Sequence, residues 1–181
     1  MALEFLSCVQ TALLSAGYDN IILKVKQVIC LESLYLKKDL VAVLPTGYGK
    51  SLVFQVLPYL LKERDAAKSS SNAQVVGPSV VVVVSPLNAL MYDQICKLRG
   101  KGAQAAILSV TERVDEDGDS FLASQWDGTR ATIIEAGYEI VFCHPEAFLS
   151  CKEGLEVLQS SIYKSVVKAV VVDEAHCILE W

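Results

Sequence analysis

The sequence predicts an α/β domain built on a mainly parallel sheet with helices on both faces. Two observations carry that expectation. Short, nearly continuous apolar runs rich in β-branched residues recur along the chain, which is how strands buried on both faces read. Stretches with apolar residues at helical spacing separate them, and this alternation implies parallel strands joined by right-handed crossovers. Composition agrees: 181 residues, 52% hydrophobic and 20% charged, suffice for one good core and argue against disorder.

The elements follow in order. Ala2 to Ala16 is a predicted helix with Leu3, Leu6, Leu13 and Leu14 roughly on one side, ending before Gly17, a suitable C-cap. Gln27 to Lys37 carries Val28, Leu31, Leu34 and Tyr35 at helical spacing. The first predicted strand is Leu40 to Leu44, followed by a helix over Ser51 to Leu61. Val80 to Ser85 is the second strand and Asn88 to Leu98 the next helix. Ala105 to Ser109, Glu139 to Cys143 and Val166 to Val172 complete the strands. Two segments interrupt the pattern. Ala66 to Pro78, containing Lys68-Ser69-Ser70-Ser71-Asn72, reads as a polar surface loop. Glu112 to Asp119 holds five acidic residues, Glu112, Asp115, Glu116, Asp117 and Asp119, and reads as a solvated loop because the ligand spacing of an EF-hand is absent.

Charge and cysteine usage narrow the function classes. A net charge of -5 rules out a globally basic surface, so contact with nucleic acid would have to come from local sites. The six cysteines show no C-x-x-C pair and sit mostly in apolar runs, as buried free thiols of a reducing compartment do. His144 and His176 lack ligand spacing, so a zinc site is not expected. No apolar stretch approaches the ~20 residues of a membrane span, and Glu4 stands where a signal peptide is basic. A soluble, intracellular protein without a membrane partner is expected.

Chemistry concentrates in two motifs. Leu44-Pro45-Thr46-Gly47-Tyr48-Gly49-Lys50-Ser51 joins a predicted strand to a predicted helix, the context a P-loop requires. Gly47 and Gly49 can take backbone angles that turn successive N–H groups around phosphate oxygens at a helix N-terminus. Lys50 would reach the β and γ phosphates, and the Ser51 hydroxyl would ligate Mg²⁺. Leu44 stands where the strict pattern has glycine, so this motif alone could also be a glycine-rich turn with a surface lysine. The second motif is Val170-Val171-Val172-Asp173-Glu174-Ala175-His176, a buried strand ending in adjacent carboxylates. In a parallel sheet both motifs lie at the C-terminal edge, where ligands bind. Asp173 can hold the Mg²⁺ shell and Glu174 can orient and deprotonate the attacking water, so the pair of motifs predicts an ATP site.

These residues resemble a known family. Leu44 to Ser51 resembles motif I of superfamily 2 helicases, in which Pro-Thr-Gly-x-Gly-Lys-Ser lacks the first glycine, and Asp173-Glu174-Ala175-His176 resembles their DEAH box. Val84-Ser85-Pro86-Leu87-Asn88-Ala89-Leu90-Met91-Tyr92-Asp93-Gln94 resembles motif Ia, and Cys143-His144-Pro145-Glu146 resembles motif Ib. With Cys177-Ile178-Leu179-Glu180-Trp181 after the box, the resemblance narrows to the RecQ family of 3′ to 5′ DNA helicases and covers Lys24 to Trp181.

The resemblance implies a RecA-like lobe over residues 24–181, truncated after the DEAH box, with residues 1–23 as an N-terminal helical segment. It implies Gln27 as the adenine reader and Lys24 as the basic residue of the same motif, although Leu23, Val25 and Lys26 depart from the family pattern there. Thr46, Gly47, Tyr48, Gly49, Lys50 and Ser51 would bind ATP, with Mg²⁺ on Ser51 and Asp173. Ser85, Pro86, Leu87, Asn88, His144, Pro145 and Glu146 would touch single-stranded or junction DNA, and His176 would couple the two sites. For Ser85-Pro86 and His144-Pro145-Glu146 the residues alone also read as ordinary helix starts, His176 as a packed histidine, and Gln27 as an exposed helix-start residue. The family motor needs a second RecA-like lobe, so the chain alone is expected to be a fragment with little activity. In the family the work is DNA repair or recombination, in the nucleus of a eukaryote or the cytoplasm otherwise. Two alternatives remain: a non-catalytic module that binds ATP or regulates a helicase, and a P-loop ATPase unrelated to nucleic acid.

Overall fold

The computed structural model describes residues 2–69, 77–114, 120–126 and 137–180. Among them the helices are α1 (Ala2–Ser15), α2 (Val25–Tyr35), α3 (Lys50–Ser69), α4 (Asn88–Arg99), α5 (Pro145–Leu149), α6 (Lys152–Gln159) and α7 (Ser161–Val166). The strands are β1 (Val80–Val84), β2 (Ala105–Val114), β3 (Ser120–Trp126), β4 (Ile140–Cys143) and β5 (Val167–Val172). They form one sheet in the order β3-β2-β4-β1-β5. Every pairing in it is parallel except β2 with β3.

Strands β1 and β4 and the first half of β2 are covered on both faces, as the β-branched runs predict. Strand β5, expected to be buried, is covered on one face only, with Val170 61% and Val172 40% exposed because it is an edge strand. Val81 and Val83 of β1, Ile107 of β2 and Phe142 of β4 meet Phe54, Leu57 and Leu61 of α3 and Met91, Ile95 and Leu98 of α4. Their neighbours in the pleat, Val80, Val82, Ala106 and Val141, point the other way onto Ala147, Phe148, Val157 and Tyr163 of α5, α6 and α7. A further layer lies beyond α3, where α1 and α2 bury Phe5, Val9, Ala12, Leu31 and Tyr35 against Leu52, Val53, Val56 and Leu60. Helix α3 is thus apolar on two sides because it is sandwiched.

Four further expectations are corrected. The stripe of α1 is Phe5, Cys8, Val9, Ala12 and Ala16, whereas Leu3, Leu6 and Leu14 are exposed. The small residues let α1 approach α3 closely, and that contact outweighs the bulk of the leucines. Leu40 to Leu44 belongs to no strand among the described residues, and Val41 and Val43 are exposed. Apolar character permits a strand; only a ladder partner makes one. Helix α3 continues eight residues past Leu61 to Ser69, because Lys62, Ala66, Ala67 and Lys68 are good helix formers and Arg64 is tied to the Tyr35 carbonyl and the Asp65 carboxylate. Glu112 lies in β2, paired with Leu122 of β3, so the acidic segment begins as a strand. Residues 70–76, the carboxylates of Asp115 to Asp119, and Trp181 lie outside the described residues. Among the described residues no helix is long and apolar enough to cross a membrane. Cys8, Cys30, Cys143 and Cys151 are buried free thiols as expected, while Cys96 is exposed.

One core residue offers a stability test. Tyr163 is buried between α7 and the sheet, and its hydroxyl has no hydrogen-bond partner among the described residues. Burial also pushes the phenol up, so it stays neutral. A buried unsatisfied hydroxyl costs about 1–3 kcal/mol. Tyr163→Phe is therefore expected to raise the stability to chemical denaturation by about 1 kcal/mol, and an unchanged or lower midpoint would show that the hydroxyl has a partner.

Candidate nucleotide and nucleic-acid site

The register of the sheet builds the site. Val84 of β1 pairs with Cys143 of β4 on one side and Val172 of β5 on the other, so the three strands end level. The segments that follow, Ser85 to Asn88, His144 to Glu146 and Asp173 to His176, emerge side by side at the C-terminal edge. Ladder bonds continue past the ends: Ser85 N–H donates to the Cys143 carbonyl at 3.0 Å and Asp173 N–H to the Val84 carbonyl at 2.9 Å.

The P-loop lies at the same edge, at the N-terminus of α3. Gly47 and Gly49 have φ of +75° and +86°, the left-handed region that glycine alone enters cheaply. Lys50 opens the helix. Burial lifts the Asp173 carboxyl above the usual carboxylate range, helped by the Glu174 charge, while the Glu174 N–H bond and, more weakly, the Lys50 ammonium pull it down. Glu174 takes φ +50°, a turn that sends the chain into a 3-10 turn at Ala175–Glu180. Its N–H donates to Asp173 Oδ1 at 3.0 Å, and its carboxylate lies 3.3 Å from His176 Nδ1. A half-buried carboxyl within reach of the Lys50 charge, with Ser51 next along the helix N-terminus, supplies oxygen and cationic groups of the kind a Mg²⁺-phosphate site uses.

The raised carboxyl fixes a pH dependence. Because the folded-state value lies above the unfolded one, ionising Asp173 destabilises the ligand-free fold. The loss begins as pH rises through about 3.9 and is complete above the raised folded value. Asp173→Asn is therefore expected to raise the melting temperature of the ligand-free chain at pH 7, with the gain vanishing near pH 3. A wild-type melt insensitive to the substitution at pH 7 would remove the burial account.

Gln27 is placed differently from the expectation. It is buried, and its Nε2 donates to the carbonyls of Tyr48 at 3.2 Å and Gly49 at 3.0 Å, while Oε1 accepts the Lys24 N–H at 2.8 Å. With both amide hydrogens spent on the P-loop, it cannot present a donor and an acceptor to adenine in this arrangement. Lys24 joins the same clamp, its Nζ 3.4 Å from the Gly47 carbonyl and 4.7 Å from the centre of the Tyr48 ring. Thr46 is exposed on the loop.

The presumed nucleic-acid motifs divide. Ser85 is buried, with its N–H in the ladder and its hydroxyl without a partner among the described residues, so it cannot offer that hydroxyl to a phosphate from this position. Leu87 and Asn88 are exposed at the start of α4. His144 Nε2 lies 3.2 Å from the Pro86 carbonyl, joining the two loops, and its Nδ1 faces the Glu146 carboxylate. Pro145 opens α5, where its missing N–H costs nothing. His176 is 75% exposed and is not a packed core histidine. The sequence reading missed the roles of Tyr18, which follows α1, and of Gln55 and Gln94, polar residues inside α3 and α4, the latter noted only as the end of the stretch resembling motif Ia.

A loop of this kind on a mainly parallel sheet with helices on both faces defines an α/β domain of the P-loop class. The family model for DEAD/DEAH box helicases matches residues 24–181, and the chain belongs to that family. It is 33% identical over 155 residues to the probable ATP-dependent DNA helicase RecS of Bacillus subtilis (strain 168), covering 83% of this chain and 24% of that one. Against the ATP-dependent DNA helicase RecQ of Synechocystis it is 32% identical over 168 residues, 91% of this chain and 28% of the other. Against the bifunctional 3'-5' exonuclease/ATP-dependent helicase WRN of Mus musculus it is 30% identical over 145 residues, 80% and 8%. The chain thus spans a quarter or so of the bacterial relatives' length and less of the mouse protein.

Proposed function

We propose that the chain is the ATP-binding motor lobe of a 3′ to 5′ DNA helicase of the RecQ type, acting in DNA repair or recombination, in the nucleus if the source is eukaryotic. The observation that carries this reading is the level ending of β1, β4 and β5, which brings Asp173 and Glu174 to the edge that also carries Leu87, Asn88 and His144. Gly47 to Ser51 would wrap the phosphates, with Lys50 balancing their charge and Ser51 and Asp173 holding Mg²⁺. Bound there, the metal would supply Lewis-acid stabilisation of charge on the phosphates. Glu174 would hold and deprotonate water, with His176 beside it. The N–H groups opening α4 would meet a DNA phosphate without reading sequence. For an adenine role Gln27 would have to exchange its bonds to the P-loop carbonyls for bonds to the base.

Hydrolysis at a useful rate requires a second lobe, since an arginine finger is worth roughly 10³ to 10⁵ in phosphoryl transfer. The test is ATPase activity with and without single-stranded DNA, for the chain alone and fused to the second lobe of the Bacillus subtilis relative. The chain alone is expected to bind Mg-ATP with near-background turnover, and the fusion to gain DNA-stimulated hydrolysis. Hydrolysis in the fusion without any DNA response would assign the chain to ATPases that do not act on nucleic acid.

A further inference from the structure

Behind the P-loop a line of side-chain hydrogen bonds runs through the core to Ser51. The Tyr18 hydroxyl donates to Gln55 Oε1, Gln55 Nε2 donates to Gln94 Oε1 at 2.5 Å, and Gln94 Nε2 donates to Ser51 Oγ at 3.1 Å. Gln55 lies on α3 and Gln94 on α4, and they are 6% and 9% exposed. Buried primary amides are costly unless bonded. Residues of ordinary packing role at these positions would be leucine or methionine, so the amides call for a reason beyond packing.

The direction of the line matters. A phenol has one hydrogen to give, and burial pushes the Tyr18 hydroxyl up, so it keeps that hydrogen. Donating it to the Gln55 carbonyl leaves the Gln55 N–H to face Gln94. Gln94 is then set the same way round and reaches Ser51 as a donor. The Ser51 oxygen accepts on one lone pair. Its second lone pair and its own hydrogen are left for the P-loop side, the arrangement a metal-ligating hydroxyl needs. Bonds aligned head to tail polarise one another, which strengthens the last of them.

We propose that Gln94 is a positioning residue of the nucleotide site, acting through the Tyr18–Gln55–Gln94 line to orient the Ser51 hydroxyl for Mg²⁺. This rests on the reading of Ser51 as a metal ligand given above. The line also fastens α4, which opens at the exposed Asn88 after Leu87, to the metal site, so a displacement of α4 stretches the 3.1 Å bond.

The test uses the full 181-residue chain and measures ATP affinity by titration calorimetry in excess Mg²⁺ and in EDTA. The quantity read is the factor by which Mg²⁺ tightens binding. Gln94→Met, similar in volume without the amide, is expected to cut that factor by about two- to tenfold, the worth of one net hydrogen bond, with the affinity in EDTA unchanged. Tyr18→Phe, which removes one hydroxyl far from the phosphates and leaves both amides free to turn over, is expected to cut it about twofold. It decides the matter if Gln94→Met does not fold. Equal losses with and without Mg²⁺, or a wild-type factor in folded variants, would overturn the proposal. Ser51→Ala separates the two layers. If the Mg²⁺ effect survives in Ser51→Ala, the metal-ligand reading fails. If it collapses there while both relay variants keep it, the relay alone fails.

Discussion

Lys50→Ala is expected to abolish measurable Mg-ATP binding while the melting temperature of the chain stays within about 2 °C of wild type. The two halves of this result have separate causes. A charge-assisted hydrogen bond is worth about 1.5–3 kcal/mol, and on the proposed reading Lys50 would face the phosphates where α3 begins and the glycines turn the backbone. Its loss alone should therefore weaken binding by about ten- to a hundredfold, and the change at Asp173 adds to that. Without it Asp173 keeps Glu174 as a neighbour and loses its attraction to a cation, so the carboxyl rises further and offers Mg²⁺ a poorer ligand. The fold has little to lose. A lysine at the first position of a helix is opposed by the positive end of the dipole, and alanine relieves that while keeping helix propensity. Titration calorimetry on the folded variant is the measurement, and unchanged Mg-ATP affinity would remove the P-loop assignment.

How much of this was legible in the sequence depends on whether a signal is local. The strands β1 and β4 read correctly because Val80 to Val84 and Ile140 to Cys143 are apolar on both faces, and β5 read as a strand although Lys168, Val170 and Val172 lie on an open face of the edge. Leu40 to Leu44 carries the same local signal and is not a strand, because pairing is a property of two segments. The antiparallel β3 was invisible for the converse reason. Ser120 to Trp126 has little apolar continuity and owes its state to the partner Leu108 to Val114 supplies. In α1 the leucines misdirected the periodicity, since the buried face is chosen by how closely α3 can approach and not by side-chain bulk.

The site divides along the same line. The turn at Gly47 and Gly49 and the approach of Lys50 to Asp173 were legible because the two motifs use fixed residue types at fixed spacing. Gln27 shows the limit: its type and position were read, but its bonds to Tyr48 and Gly49 depend on where α2 lies against the loop. Ser85 shows the same limit, being of a suitable type to touch a phosphate and buried by the ladder that ends there.

Gly154→Ala is expected to destabilise the chain by about 3 kcal/mol, although a helix interior ordinarily gains 0.5–1 kcal/mol or so from that exchange. The structure reverses the sign. Gly154 sits in α6, and a methyl built on it would lie 1.8 Å from the Ala147 carbonyl oxygen of α5 and 2.9 Å from its carbon. Both are backbone atoms, so no side-chain rotation relieves the clash and the two helices must move apart. That motion opens the layer in which Ala147, Phe148 and Val157 cover Val80, Val82 and Val141 of the sheet. A loss of this size corresponds to a melting temperature lower by about 6–12 °C for a chain of this length. Because α5 begins at Pro145, directly after His144, the displacement should also disturb the His144 contact with the Pro86 carbonyl at the sheet edge. Thermal melts of wild type, Gly154→Ala and Gly77→Ala make the comparison, since a methyl at Gly77 meets nothing within 4 Å. A higher melting temperature for Gly154→Ala would mean that helix propensity decides the outcome, and that α5 and α6 do not approach as closely as their backbones indicate.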